Sequence, residues 1–306
     1  MNKSFTLIEI LVVIVVIGIL SAFILVGMNS ISNSANIAKG QAFANSVRNS
    51  LLINLVSEWK LDGNGNDSWG TNNGTWSGTT VPNTLANYRP ASECVSGQCL
   101  DFDGADDIVD CGNNSTLSMG TRDHTVSFWV NFDNATAPQY EVLIGCGCSS
   151  WIVGQDGYWV YRSINNNHLS SIFTDGLAVP IGGTLSAPGT LVANTWYNIV
   201  VVFDRDATAY AYINSKLQTG YSSDIHLQNT DVANTTTFKI GAYPSPSYRF
   251  AGRMDDVKIY HAIVSSFQIN ENYYSGINKL FKNNGIALDE FNQRLVELKS
   301  DIANNE

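Results

Sequence analysis

Thr125-Val126-Ser127-Phe128-Trp129-Val130-Asn131-Phe132 reads as a β-strand, because apolar and polar side chains largely alternate with the period of two of an extended chain. Tyr197-Asn198-Ile199-Val200-Val201-Val202-Phe203 is a second strand, dense in the β-branched and aromatic residues that fit a pleated surface. Ala209-Tyr210-Ala211-Tyr212-Ile213-Asn214 continues it as a hairpin. Working outward, the same style of short alternating runs broken by Gly, Asn and Asp extends from residue 57 to residue 264. About 200 residues of this kind predict one antiparallel two-sheet jelly roll rather than two small domains.

The flanks are helical. Leu7 to Met28 is a run of 22 residues whose one ionisable member is Glu9, and a helix of that length spans about 33 Å, enough to cross a bilayer. Sixteen of the residues from Leu7 to Val26 are Leu, Ile, Val or Phe, which together favour insertion by about 5–10 kcal/mol. The run is too long for the apolar core of a cleaved secretory signal, and no A-x-A-like site follows it. A stripe of Ile31, Ala35, Ala38, Ala42, Phe43, Val47, Leu51 and Leu55 at helical spacing carries the expected helix to about residue 56. At the other end Phe267, Tyr273, Ile277, Leu280, Leu288, Phe291, Leu295 and Leu298 recur with helical period around the break Asn283-Asn284-Gly285. They predict a helical hairpin over residues 265–306, a clasp packed on its own chain or a contact between subunits. The fold class expected is therefore α+β: a long N-terminal α-helix, an antiparallel β-sandwich jelly roll, and a C-terminal helical hairpin.

Composition excludes some functions. Lys and Arg number 17 against 27 Asp and Glu in 306 residues, a net charge of −10, so the clustered cations needed to neutralise a nucleic-acid backbone are absent. No H-E-x-x-H, GxxxxGK[ST] or G-x-S-x-G occurs, and His124, His168, His226 and His261 are dispersed. Nor is there the Glu-x-Asp-x-x-Glu of jelly-roll glycoside hydrolases, whose paired carboxylates flank the scissile bond. The chain is not expected to be an enzyme.

Glu9 is the informative residue of the apolar run, because an ionisable group in a membrane segment is costly and calls for a partner. Lys3-Ser4-Phe5-Thr6-Leu7-Ile8-Glu9-Ile10-Leu11-Val12-Val13 resembles the class III leader of type IV pilins and pseudopilins. The resemblance implies a leader of residues 1–4, cut by a prepilin peptidase between Ser4 and Phe5, methylation of Phe5, and Glu9 as the fifth residue of the mature chain. The family usually has Gly before the cut, where this chain has the small residue Ser4. Cleavage would expose an α-amino group able to meet the Glu9 carboxylate of a neighbouring copy, since a buried charge is tolerated when paired. A precursor in the inner membrane and then a surface filament, built with copies of itself and other pilins, are the implied setting and partners. An unprocessed anchored binding module and a secretion pseudopilin are the alternatives.

Pieces of the sheet region resemble the laminin-G-like, concanavalin-like jelly rolls, in the family's order. They are Glu58-Trp59-Lys60-Leu61-Asp62 with its Asn/Gly loop, Cys99 to Val109 around Phe102-Asp103-Gly104, the two strands quoted first, and Phe238 to Gly241 with Phe250 to Tyr260. The resemblance implies a head over residues 57–264 that binds carbohydrate or a surface protein and can hold a structural Ca²⁺. Asp67 and Asp256 are the candidate ligands, the competing reading being that these Asp residues cap turns. An EF-hand at Asp62 is rejected, because its sixth position is Asp67 instead of Gly. Trp69, Trp76, Trp151, Tyr158, Trp159 and Tyr161 offer flat faces for sugars, though strand aromatics are more often core. Outside the cytoplasm disulfides are possible. Cys94 and Cys99 bracket the turn Val95-Ser96-Gly97-Gln98 and are expected to pair, while Cys111 is left to Cys146 or Cys148.

Overall fold

The computed structural model describes residues 54–78, 87–137, 139–147, 154–164, 166–233, 236–242 and 248–304. The chain divides into two units, Met1–Ile53 and Asn54–Glu306, and every described residue belongs to the second. The expected leader, Ser4, Phe5, Glu9 and the membrane helix over residues 7–28 all lie outside the described residues. Among the described residues no helix is long and apolar enough to cross a membrane.

The strands, in chain order, are β1 Leu55–Trp59, β2 Thr75–Ser77, β3 Tyr88–Arg89, β4 Cys99–Asp103, β5 Ile108–Asp110, β6 His124–Phe132, β7 Glu141–Cys146, β8 Asp156–Arg162, β9 Leu169–Asp175 and β10 Ile181–Thr184. They continue with β11 Trp196–Phe203, β12 Thr208–Ile213, β13 Lys216–Asp224, β14 Lys239–Ile240 and β15 Ala251–Tyr260. Two antiparallel sheets result, ordered β13-β12-β11-β6-β15-β4-β3 and β10-β9-β8-β7-β14-β5-β2, with β1 added to β15 in the first. This is the jelly roll expected. The long N-terminal helix was expected to reach residue 56, but Leu55 and Val56 already belong to β1, where Leu55 pairs with Tyr260. Leu55-Val56 suits a strand as well as a helix, and the exposed edge of β15 decides the matter.

β15 is the hub of the first sheet. One edge pairs with β6; the other pairs first with β4 (Ala251–Met254) and then with β1 (Val257–Tyr260). The changeover falls at a β-bulge between Asp255 and Lys258, where Asp256 adopts a φ of +49°. Phe128, Val130, Phe132, Ile199, Val201, Phe203, Tyr158, Val160 and Phe173 meet between the sheets with almost no exposure. Fully burying side chains of this size contributes about 1.5–3 kcal/mol each.

Two helices close the chain, α1 Ser266–Lys282 and α2 Leu288–Asn304. Ser265 and Gln268 form a capping box at the start of α1, each side chain accepting the other's backbone N–H. The break before α2 is made by Asn284 at φ +59° and by the N–H of Gly285 donating to the carbonyl of Leu280. The hairpin lies on the outer face of the first sheet: Tyr273 stacks on Trp129 at 5.8 Å, and Ile277, Leu280 and Leu298 join Trp196, Cys94 and Cys99 in a second core. Gly276 permits this closeness, since a Cβ there would collide with the Trp129 ring.

Candidate functional site

β8 sorts its aromatics by parity. Tyr158 and Val160 point between the sheets, whereas Trp159 and Tyr161 stand on the outer face of the second sheet. There Trp159 lies 5.5 Å from Tyr161 and 5.9 Å from Tyr248, and Tyr140 meets Tyr161 edge-on at 5.6 Å and Tyr248 at 5.7 Å. Val142 and Ile172 floor the patch, and Tyr140 remains 37% exposed. Burial pushes the Tyr161 hydroxyl up, against a hydrogen bond to Ser170 that pulls it down. The result is an aromatic cluster in which Trp159 is buried and Tyr140, Tyr161 and Tyr248 keep part of their surface accessible, and such rings can stack on a ring with an apolar face. The nearby carboxylate of Glu141 is turned inward, where its Oε2 accepts the Arg162 Nε–H at 2.6 Å.

Of the other aromatics named from sequence, Trp76 and Tyr158 are buried in the core. Trp69 is 46% exposed, but its indole N–H donates to the Leu55 carbonyl at 2.8 Å. Trp151 lies outside the described residues. Sequence reasoning missed Tyr140 and Tyr248, which join the cluster from separate loops.

Asp67 organises the loop after β1. Its Oδ1 accepts the N–H groups of Glu58, Trp69 and Gly70 at 2.8–3.0 Å, and Oδ2 accepts that of Asn72 at 3.0 Å. Burial opposes its charge, but these four donors outweigh burial and hold the carboxyl below its usual range. Asp256 lies 3.7 Å from the Lys279 ammonium and 4.0 Å from that of Lys258. These contacts match the turn-capping alternative for Asp67 and give Asp256 cationic neighbours, because a Ca²⁺ would have to displace N–H donors at one and face ammonium groups at the other.

The neighbouring Asp255 carries the structural role on β15. Fully buried, its Oδ2 accepts the N–H groups of Val95 and Ser96 at 2.9 Å each and so pins the loop closed by the Cys94–Cys99 disulfide. Burial first and then the charge of Asp256 push its carboxyl well above the usual range, against the pull of those two N–H groups. The disulfide is the pairing expected. Cys111 and Cys146 are both buried thiols, so the bridge between them that sequence allowed is not made, and Cys148 lies outside the described residues. Burial raises the Cys111 thiol well above its ordinary value.

Two of the dispersed histidines meet. His124 Nε2 lies 2.8 Å from the Tyr158 hydroxyl, and its ring is 5.5 Å from that of His261. Burial, then Arg122, depresses His261 to about 4, while burial, His261, Arg122 and Arg205 push His124 well down. Both rings are therefore neutral in the fold at pH 7, whereas in the unfolded chain they charge near pH 6.5. Stability from this site is fully present above 6.5 and is lost as pH falls toward 4. The wild type should thus lose about 1 kcal/mol relative to His261→Gln between pH 7 and pH 5, after discounting for partial exposure. Urea melts of the two chains at both pH values measure this; a pH-independent gap removes the assignment.

Comparison with known proteins places these features. Residues 1–25 match the family model of the prokaryotic N-terminal methylation motif. Sequence comparison with curated proteins gives no match. Among solved structures, the binding domain of Paraclostridial Mosquitocidal Protein 1 superposes with a TM-score of 0.56 at 16% identity, over 74% of this chain and 53% of that one. The botulinum neurotoxin serotype D ligand-binding domain, in complex with N-acetylneuraminic acid, gives 0.55 at 17% identity over 76% and 53%. Domain 4 of AbnA, an extracellular arabinanase from Geobacillus stearothermophilus in complex with arabinotriose, gives 0.51 at 18% identity over 71% and 97%. The chain thus spans about half the length of the toxin binding domains and nearly all of the arabinanase domain. At these identities the likeness is one of fold. Residues 103–270, more than half of the sequence, match the Laminin_G_3 family model, and the chain belongs to the concanavalin A-like lectin/glucanases superfamily.

Proposed function

We propose that this chain is a type IV pilin-like subunit: a leader of residues 1–4 is removed at Ser4-Phe5, residues 5 onward enter a filament core, and a lectin-like head is displayed at the cell surface. The observation that carries this reading is the methylation motif at residues 1–25 in the same chain as a lectin-family fold at 103–270. A prepilin peptidase, the inner membrane, other pilins and further copies of the chain are the partners this implies. The C-terminal hairpin is part of the head, since its Tyr273, Ile277, Leu280 and Leu298 pack with Trp129 and Trp196.

For the head we assign carbohydrate as the ligand class and the aromatic patch of Tyr140, Tyr161 and Tyr248, backed by the buried Trp159, as the contact surface. Support comes from the exposed Tyr140 and the partly buried Tyr161 and Tyr248 beside it, and from two fold neighbours determined with a sugar bound. Loss of one stacking face costs about 1 kcal/mol, so Tyr140→Ala should weaken glycan binding about fivefold, read by titration of the ligand that a glycan array selects. Equal binding by Tyr140→Ala and wild type would move the ligand elsewhere.

Mass spectrometry of the N-terminal peptide tests the filament reading, using sheared surface material and the membrane fraction of expressing cells. N-methylated Phe5 in the sheared fraction is the expected result. Finding solely Met1, confined to membranes, would replace the filament subunit by an anchored binding module, the alternative that Ser4 in place of Gly keeps open.

A further inference from the structure

The Cys94–Cys99 disulfide lies where the C-terminal hairpin meets the head. β3 has only two residues, Tyr88–Arg89, and among the described residues its sheet partner is β4, with Arg89 opposite Cys99. The bond therefore clips the chain that leaves β3 back onto the start of β4. Three other contacts hold that segment. Asp255 accepts the Val95 and Ser96 N–H groups, the Trp196 indole N–H donates to the Glu93 carbonyl at 3.1 Å, and Arg253 pairs with Glu93 at 3.3 Å. The hairpin rests on the same segment: the Asn283 side-chain amide donates to the Val95 carbonyl at 3.4 Å, and Cys94 and Cys99 share one apolar cluster with Tyr273, Ile277, Leu280 and Leu298. Neither cysteine has any exposure.

We propose that the disulfide and the hairpin form a redox latch: the closed bond fixes the floor on which the hairpin docks, and the docked hairpin shields the bond from thiols. With two thiols in place of the bond, the segment after β3 gains conformations that must be given up again whenever the hairpin docks on it. The reverse effect follows from the chemistry of reduction. A dithiol's first thiolate bonds to one cysteine sulfur, and the other cysteine leaves as a thiolate that takes up a proton. The reagent's second thiolate then displaces the first cysteine, which is protonated in turn, and closes the reagent's own disulfide; two electrons and two protons pass to the protein. Neither sulfur can be attacked while α1 and α2 cover it, so the step waits for the hairpin to lift. Thermodynamic linkage makes the two effects equal in size. In a reducing compartment the hairpin therefore spends more time off Trp129 and Trp196, and the head is completed where an oxidised dithiol takes up the two electrons and the bond forms.

The test is amide hydrogen exchange of the full chain in detergent, read peptide by peptide by mass spectrometry, in its oxidised form and with excess dithiothreitol under nitrogen. On reduction the amides of α1 and α2 should exchange about tenfold faster, while those of β6 and β11 keep their rates. The converse measurement is the rate at which dithiothreitol opens the bond. Leu280→Ala removes a contact of the hairpin and should speed reduction about tenfold or more, whereas Leu143→Ala, in the core between the sheets, should leave the rate near that of wild type. Should Leu280→Ala fail to fold, the exchange measurement on the wild type decides alone. Unchanged exchange in the hairpin after reduction would overturn the proposal, as would faster exchange spread evenly over hairpin and sheets. Equal reduction rates in wild type and a folded Leu280→Ala would also overturn it.

Discussion

An Arg162→Met chain is expected to lose about 3–5 kcal/mol of stability, a large fraction of the roughly 5–15 kcal/mol that holds an ordinary domain folded. Arg162 and Glu141 sit side by side on β8 and β7, and both side chains have no exposure at all. The guanidinium donates to Glu141 Oε2 at 2.6 Å and to the Asn134 carbonyl at 3.0 Å, and it lies 4.2 Å over the Phe132 ring. Burial raises the Glu141 carboxyl, and Arg162 is the chief influence holding it down. Removing the cation leaves a charge in an apolar interior with no water to solvate it. The double change Glu141→Leu with Arg162→Met should recover most of the loss, because removing both charges of a buried pair is far less costly than removing one. Urea melts of the three chains give the comparison; a single variant as stable as wild type would mean that the pair is solvated in the fold.

Glu9→Ala is expected to abolish sheared filaments while leaving the head folded. If the carboxylate pairs with the methylated N-terminus of the next subunit in a dry helical core, its loss strands a buried cation at every subunit contact. That costs about 3–5 kcal/mol per contact, or two to three orders of magnitude in the assembly equilibrium. In the proposed processing the cut falls between Ser4 and Phe5, so the variant should still carry N-methylated Phe5 in the membrane fraction. Normal filament yield from Glu9→Ala would refute the pairing.

The architecture was largely legible because its signals are local. Val126, Phe128 and Val130 alternate plainly, and Asn283-Asn284-Gly285 marks the break between α1 and α2. The functional details depend on parity and register, which local pattern does not carry. Asp255 and Asp256 are adjacent carboxylates, and the bulge at φ +49° decides which is buried against Val95 and Ser96 and which turns toward Lys258 and Lys279. Sequence singled out the second, whereas the first anchors the disulfide loop. Likewise the face to which Trp159 points follows from the pairing of β8 with β7 and β9, and Tyr140 and Tyr248 reach it only through tertiary folding.

The place of β15 also sets the order in which the head can be made. β1, β4 and β6 all hydrogen-bond to this strand, and Leu55 waits for Tyr260. Contacts so distant along the chain close late and slowly. A chain emerging from its N-terminus therefore presents open strand edges until residue 260 has been made, a window in which edge-to-edge aggregation competes with folding. The late strand acts as a checkpoint on completion of the head: until it has been delivered, the first sheet cannot close.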